Sequence, residues 1–411
     1  MLADFWQVSG FRHSKVIYRL CIRLDWRIDS AVNFERRLTG LQEKMEEKGV
    51  DLAVYGSCQN FQYLTGLPIE WRRGRDLVQP EDNVFIPKEG DPILTLSRAS
   101  AGYAEDSWMG DTRVLEGGAS YNAMVGKVAS DLGWDGGRIG VGANLGGSTW
   151  LEVARAFKGA RFRRGEALMD HLRMIKEPAE IELLRKVARL TDETIEKIVG
   201  GIGDGVTMRE LRLDIETTGR RMGASDVSFP SNAGFVRSGS EPNGKVYNYE
   251  MNEGLVSGTC IWFDVGFVMD GYCSDWGRAV YWGTPDEDVK KAYGALQGAV
   301  VETVDEMHEG GMRVCDLFDS IEASLDREGY GDYLRARLPQ RSVGHQIGVE
   351  VHEAPWLKPA NRHLLQEGMV MCLEPKLWRD GEYYLRVEDM VLIHEDRAEF
   401  LTTFDRELFE L

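Results

Sequence analysis

The sequence predicts an α+β protein of two domains, and three observations carry that expectation. Between residues 76 and 170 short apolar strands alternate with helical stretches, the pattern of a small α/β domain. From 225 to 283 strands dominate, helices return from 285 to 337, and strands close the chain. Between the two patterns, HLRMIKEPAEIELLRK over residues 171–186 reads as a hinge followed by a helix start.

Taken in order, residues 1–33 stand apart from the rest. Arg19, Arg23 and Arg27 recur every four residues and would form a basic stripe on a helix. The apolar runs between charges are too short for a secretory leader. A non-native or poorly ordered extension is expected, with a helical arm against a partner subunit as the alternative. NFERRLTGLQEKMEEKGV then reads as a charged amphipathic helix ending at Gly49, followed by the strand DLAVYGS. DNVFIPKEGDPILTL and RIGVGAN read as strands, and STWLEVARAF as a helix, completing a first domain over residues 34–170. In the second domain, 171–411, Pro178 falls in the first turn of a helix with acidic neighbours, where its missing N–H is harmless and the helix dipole favours carboxylates. That helix runs to about Val199, and a second covers MRELRLDIETTGRRMG.

Composition narrows the function. The 411 residues are 43% hydrophobic and 28% charged, ordinary for a water-soluble globular chain. A net charge of −18 argues against nucleic acid or an anionic membrane as partner. No apolar run reaches transmembrane length. Six scattered cysteines form no CxxC pair, so core thiols in a reducing, cytoplasmic compartment are expected rather than a zinc ribbon or disulfide framework.

Five residues carry the chemistry: Asp264, Asp275, His345, Glu374 and Glu388, in FDVGFVMDGYCSD, SVGHQIGVEVHEAP, MCLEP and LRVED. Four carboxylates and one imidazole suit two divalent cations, and the charges balance. Such a pair can hold a hydroxide and polarise a carbonyl at neutral pH. Asp270-Gly271 is a two-residue hairpin turn. Its register sets Met269 against Tyr272 and Asp264 against Gly277, which makes Asp264 and Asp275 diagonal neighbours on one face, roughly 7–8 Å apart at Cα. Glu374 and Glu388 lie in GMVMCLEPKLW and YYLRVEDMVLI, which read as paired strands. A two-residue turn at Asp380-Gly381 would set them on opposite faces, so a loop of three or five residues, or a bulge, is predicted. His352, seven residues after His345, is a candidate for contact with the substrate or a developing oxyanion.

In this order and at these intervals the motifs resemble the metallopeptidase family of pita-bread fold, which includes aminopeptidase P, prolidase, methionine aminopeptidase and creatinase. ERRLTGLQEKMEEKGVDLAVYGSCQNFQYLTG is similar to the start of the prolidase and aminopeptidase P branch's N-terminal domain, and LRMIKEPAEIELLRKVARLTDETIEKI to its interdomain entry. The resemblance implies an α+β, pita-bread catalytic domain behind a creatinase-like α/β domain, and a homodimer. It implies two divalent metal ions, manganese by the oxygen-rich ligation, with cobalt, iron or zinc as options. Asp264 would bind one metal, Asp275 and Glu388 would bridge, and His345 and Glu374 would complete the second. Glu374 would also be the base, His352 would stabilise the tetrahedral intermediate, and Arg386 would orient Glu388.

Three positions depart from the family's pattern. Tyr247 stands where a substrate-touching histidine is usual, Gly277 where a threonine is, and Lys376 where a glycine follows Glu-Pro. In EWRRGRD, Arg73 is a candidate grip for a substrate carboxylate. The expected activity is an Xaa-Pro peptidase, either dipeptidase or aminopeptidase, acting on small peptides. The alternatives are a relative acting on a small non-peptide amide, as hydrolase or lyase, and a non-catalytic binding protein on the same fold.

Overall fold

A computed structural model describes residues 32–69, 71, 82–117, 119–142, 145–336 and 342–411. The basic stripe of Arg19, Arg23 and Arg27, and Arg72, Arg73 and Arg75, lie outside the described residues.

The N-terminal half is built on a six-stranded sheet. Its strands are β1 (Leu52–Gly56), β2 (Asn83–Pro87), β3 (Ile93–Leu96), β4 (Asp111–Val114), β5 (Gly137–Val141) and β6 (Ala160–Arg164), in the order β4-β3-β2-β1-β5-β6. The sheet is mixed: β1 runs antiparallel to β2 and parallel to β5. Helix α1 (Phe34–Lys48) begins where the Asn33 side chain accepts the Arg36 amide and ends at Gly49 in the left-handed region. Helices α2 (Gln59–Thr65), α3 (Tyr121–Asp131), α4 (Gly147–Ala156) and α5 (Asp170–Met174) complete this half.

Helix α6 (Pro178–Val199) starts at the proline, as predicted, behind a reciprocal capping box of Glu177 and Glu180. Helix α7 (Met208–Arg221) carries a second box, Thr207 with Glu210. The strands that follow are β7 (Asp226–Val227), β8 (Asn232–Arg237), β9 (Thr259–Val265), β10 (Phe267–Met269), β11 (Tyr272–Cys273), β12 (Trp276–Trp282), β13 (Gly344–Gln346), β14 (Val370–Leu373), β15 (Lys376–Arg379), β16 (Tyr383–Ile393), β17 (Ala398–Phe400) and β18 (Phe409–Glu410). The main sheet runs β13-β14-β16-β12-β9-β8. Helices α8 (Glu287–Glu306) and α9 (Val314–Arg327) cover one face, where Leu296, Val300 and Phe318 meet Tyr383, Leu385 and Val387. Helices α6 and α7 cover the other, with Ile195 and Ile215 against Phe263, Val265 and Trp276. The short α10 (Gly331–Arg335) lies beside β15. Every residue of β16 is buried, so its apolar run is that of a strand with neighbours on both faces and edges.

The two halves meet at buried polar contacts. Arg37 of α1 donates to the Tyr63 carbonyl at 2.8 Å and pairs with Glu180 of α6 at 3.3 Å, and Tyr272 donates to Glu180 at 3.0 Å. The Gln62 side chain donates to the Gly271 carbonyl at 2.8 Å and accepts from Trp71 at 2.8 Å. Arg37 and Glu180 are both buried, so removing one strands the other. Arg37→Met is expected to cost about 3 kcal/mol in urea unfolding. Adding Glu180→Gln should return much of that loss. An additive double variant would show that the pair is not coupled.

Candidate metal centre

The Asp270-Gly271 turn forms as the dipeptide predicts, with φ of 50° and 84° at its two central residues. Met269 pairs with Tyr272 and Asp264 with Gly277, so the expected register holds along the hairpin. The hairpin bends at Gly266. There β9 passes into β10 and the two ends join different sheets. Gly266 has no room for a side chain, because a Cβ would lie 2.2 Å from the Ser274 carbonyl oxygen.

On the other side of the site, Arg379 pairs with Tyr383 across a three-residue loop whose centre, Gly381, has φ of 77°. The odd loop length was predicted from the need to set Glu374 and Glu388 on one face. Pairing of β14 and β15 with β16 keeps one register on both sides of Glu374-Pro375, which sets Glu374 opposite Glu388. Strand β12 bridges the two hairpins, because Gly277 faces Asp264 on β9 and Glu388 on β16. His345 enters from β13, opposite Cys372 of β14.

All five predicted ligands converge. One ligand atom each from Asp264, Asp275 and Glu388 lies within 4.8 Å of the others, and the same holds for His345, Glu374 and Glu388. Cys372 joins Asp275 and His345 in a third such group. His345 Nε2 lies 3.4 Å from Asp275 Oδ2 and 3.9 Å from Glu374 Oε1. His345 Nδ1 meets the Gln346 carbonyl at 3.0 Å, which makes Nδ1 the protonated nitrogen and turns the Nε2 lone pair into the cluster.

The donor set fits cations on one decisive point. Asp275 Oδ1, His345 Nε2 and Glu388 Oε1 are buried polar atoms without a hydrogen-bond partner. Such atoms are costly unless something positive faces them. Burial, with repulsion among neighbouring carboxylates, pushes Asp264 and Glu388 above the ordinary carboxylate range. Burial acts the same way on Glu374, but Lys376, Arg386 and His345 outweigh it and hold Glu374 at about 2.

Arg386 does more than orient one carboxylate. Its guanidinium donates to Glu388 Oε2 from Nε at 3.0 Å and from Nη2 at 2.5 Å, to Asp264 Oδ2 at 2.5 Å, and to Glu374 Oε2 at 3.1 Å. It thereby takes the outer oxygens of three acids. Gly277 explains how it fits: a Cβ there would lie 2.3 Å from Arg386 Nε and 2.9 Å from Glu388 Oε2. The glycine's missing side chain is therefore replaced by the guanidinium as hydrogen-bond donor.

His352 stands beside His345, ring centroids 4.5 Å apart and edge to face, and stacks on Trp356 at 5.3 Å. Burial and the neighbouring His345 lower its pKa, so it is a neutral imidazole at neutral pH. Tyr247 packs against the two apolar clusters that flank the main sheet, with Lys245 Nζ 5.9 Å from its ring. Among the described residues it makes no hydrogen bond to the five ligands.

Sequence reasoning missed a supporting layer. Gln346 and Glu353 exchange backbone hydrogen bonds at 3.2 and 2.8 Å, which fixes the His345 strand against the His352 turn. Lys176, in the linker, donates to Gln346 Oε1 at 2.7 Å and to Glu353 Oε2 at 3.3 Å, and Arg173 reaches Glu353 Oε1 at 3.3 Å. The signal was present in the adjacency of each acid or amide to a candidate histidine. Nothing local pointed to partners some 170 residues away.

Residues 182–395 match the model of metallopeptidase family M24. The chain belongs to that family. Residues 37–175 match the creatinase/prolidase N-terminal domain. A putative dipeptidase of Bacillus subtilis is 32% identical over 263 residues, 63% of this chain and 69% of that protein. The crystal structure of a prolidase from Thermococcus sibiricus superposes with a TM-score of 0.80 at 26% identity, covering 92% of this chain and 100% of the other. A dipeptidase from Pyrococcus horikoshii does so with a TM-score of 0.81 at 25% identity, covering 91% and 100%. This M24 member is a metal-dependent hydrolase with a creatinase-like domain ahead of a pita-bread domain. No helix among its described residues is long and apolar enough to cross a membrane.

Without Arg386, buried Glu388 faces its neighbours uncompensated. Arg386→Met is expected to lower the stability of chelator-treated protein by about 3 kcal/mol in urea unfolding. Saturating Mn2+ should recover part of that loss, since cations offset the same charges. Equal destabilisation with and without metal would contradict the charge-brace role.

Proposed function

We propose that this M24 member is a di-metal Xaa-Pro peptidase. The observation that carries the reading is the set of three unpartnered buried ligand atoms, on Asp275, His345 and Glu388, inside a five-ligand cluster. The names of the relatives, prolidase and dipeptidase, point to Xaa-Pro peptides as substrates. Asp264, Asp275 and Glu388 would hold one cation, and His345, Glu374 and Glu388 the other. Manganese suits four carboxylates and a single imidazole. When bound, the cations supply Lewis-acid polarisation of the scissile carbonyl and a water acidic enough to react at neutral pH.

The remaining work falls to the chain. Glu374 takes the proton released by the attacking water and delivers it to the departing amine nitrogen. Neutral His352, its ring packed against His345 and Trp356, donates an N–H to the carbonyl oxygen as negative charge develops there. Arg386 keeps the outer oxygens of Asp264, Glu374 and Glu388 engaged, so that their inner oxygens stay aimed at the cations. The buried cysteines among the described residues suit a reducing cytoplasm.

A second reading is favoured by one observation. Tyr247 and Gly277 stand where the family usually has a histidine and a threonine, which fits a small non-peptide amide as substrate.

Protein stripped of metal and reloaded with Mn2+ is expected to hydrolyse an Xaa-Pro panel. Glu374→Gln should lower kcat by about 100-fold or more, the range of a lost general base. A protein that holds two metals by elemental analysis yet cleaves none of the panel would overturn the peptidase reading in favour of the second.

A further inference from the structure

Lys376 is a cation that the metal chemistry does not use. It opens β15 directly opposite Arg386 of β16, two residues beyond the point where Glu374 faces Glu388. Side chains two apart on a strand share a face, so two acids and two cations form a square on one surface of the hairpin. Like charges stand opposite each other and the attractive contacts run along and across the square. Lys376 Nζ donates to Glu374 Oε2, and Arg386 Nη2 reaches the same oxygen at 3.1 Å.

The two cations differ in their surroundings. Arg386 is buried and engages three carboxylates. The Lys376 side chain keeps 18% of its surface, and among the described residues its one ion pair is to Glu374. Four carboxylates balance two dications and a metal-held hydroxide would offset one further charge, so of the two charges on Arg386 and Lys376 one stays in excess. Arg386 is walled in. Lys376 keeps more of its side chain exposed, and among the described residues its one ion pair is to Glu374, whose charge the cations would share. An anionic group on the substrate matches an ammonium whose carboxylate partner is drawn to the cations.

We infer that Lys376 binds the free carboxylate of the residue that follows the scissile bond, which selects dipeptides over longer or amidated peptides. The inference rests on the peptidase reading above and fixes its substrate class. The placement supports it: Nζ shares Glu374 Oε2 with Arg386 at the edge of the ligand cluster, and one residue of extended chain spans about 3.5 Å. A carbonyl at the cations therefore sets the next residue's carboxylate within the lysine's reach, whereas a longer peptide carries its carboxylate past it. An amide in place of the carboxylate leaves the ammonium desolvated and unpaired. That asymmetry is the source of discrimination.

The test compares Ala-Pro with Ala-prolinamide on the manganese-loaded enzyme, in the wild type, Lys376→Met and Lys376→Arg. Calorimetric binding of L-proline and L-prolinamide supplies a readout independent of turnover. The wild type should favour Ala-Pro by about 10- to 100-fold in kcat/KM, mostly through KM, as a charge-assisted hydrogen bond allows. Lys376→Met should erase that preference and weaken proline but not prolinamide, and Lys376→Arg should retain part of both. Equal use of the two substrates by the wild type, or a preference unchanged in Lys376→Met, would overturn the inference and leave the peptidase intact. Cleavage of neither substrate would overturn the peptidase reading and this inference with it.

Discussion

Repulsion among Asp264, Asp275, Glu374 and Glu388 is the constraint around which the C-terminal half is organised. Four acids on β9, on the segment before β12, and around β14 and β16 cannot all stay ionised and buried without positive charge close by. The protein answers with Arg386 inside the cluster and Lys376 at its edge, and leaves three inward-facing ligand atoms open. On the proposed reading the open atoms face the cations, and the engaged outer oxygens aim them. Gly277 belongs to the same solution, since any larger residue would take the space of the guanidinium.

Around that cluster, rigidity comes from strands with partners on both sides. Strand β16 supplies Arg386 and Glu388 from the most deeply buried segment of the sheet, between β14 and β12. Immediately beyond them, Asp389 accepts from Arg278 at 2.7 Å, Thr402 at 2.7 Å and Arg406 at 2.9 Å, which pins the strand just past the ligand. The His345 and His352 segments are held by Glu353, whose partners Arg173 and Lys176 come from the link between the two halves. The junction between domains thus bears on the geometry of the histidines, through side chains rather than through the sheet.

Much of this was legible in the sequence, where local chemistry and strand register decide the outcome. The Asp270-Gly271 turn, the alignment of Asp264 with Gly277, the proline-started α6 and the three-residue loop between the two glutamates all follow from periodicity and turn geometry. The same register sets Lys376 opposite Arg386, so that juxtaposition was available from sequence as well, although only the glycine it replaces drew notice. What was not legible depended on contacts between distant segments. The bend at Gly266 answers to the packing of Ser274 and Ser228, and the Lys176–Glu353 pair joins residues 177 positions apart. In the sequence Gly277 is only a glycine where the family usually has a threonine. Only the packed structure shows the space to be filled by an arginine.

The proposed arrangement is two adjoining cation positions held by Asp264, Asp275, His345, Glu374 and Glu388. It is tested most directly by diffraction from Mn2+-soaked crystals at the manganese absorption edge. Two anomalous peaks about 3.5–4 Å apart are expected. One should be flanked by Asp264, Asp275 and Glu388, and the other by His345, Glu374 and Glu388. Peaks elsewhere, or a centre that stays empty at millimolar manganese while Arg386 keeps its three carboxylates, would contradict it.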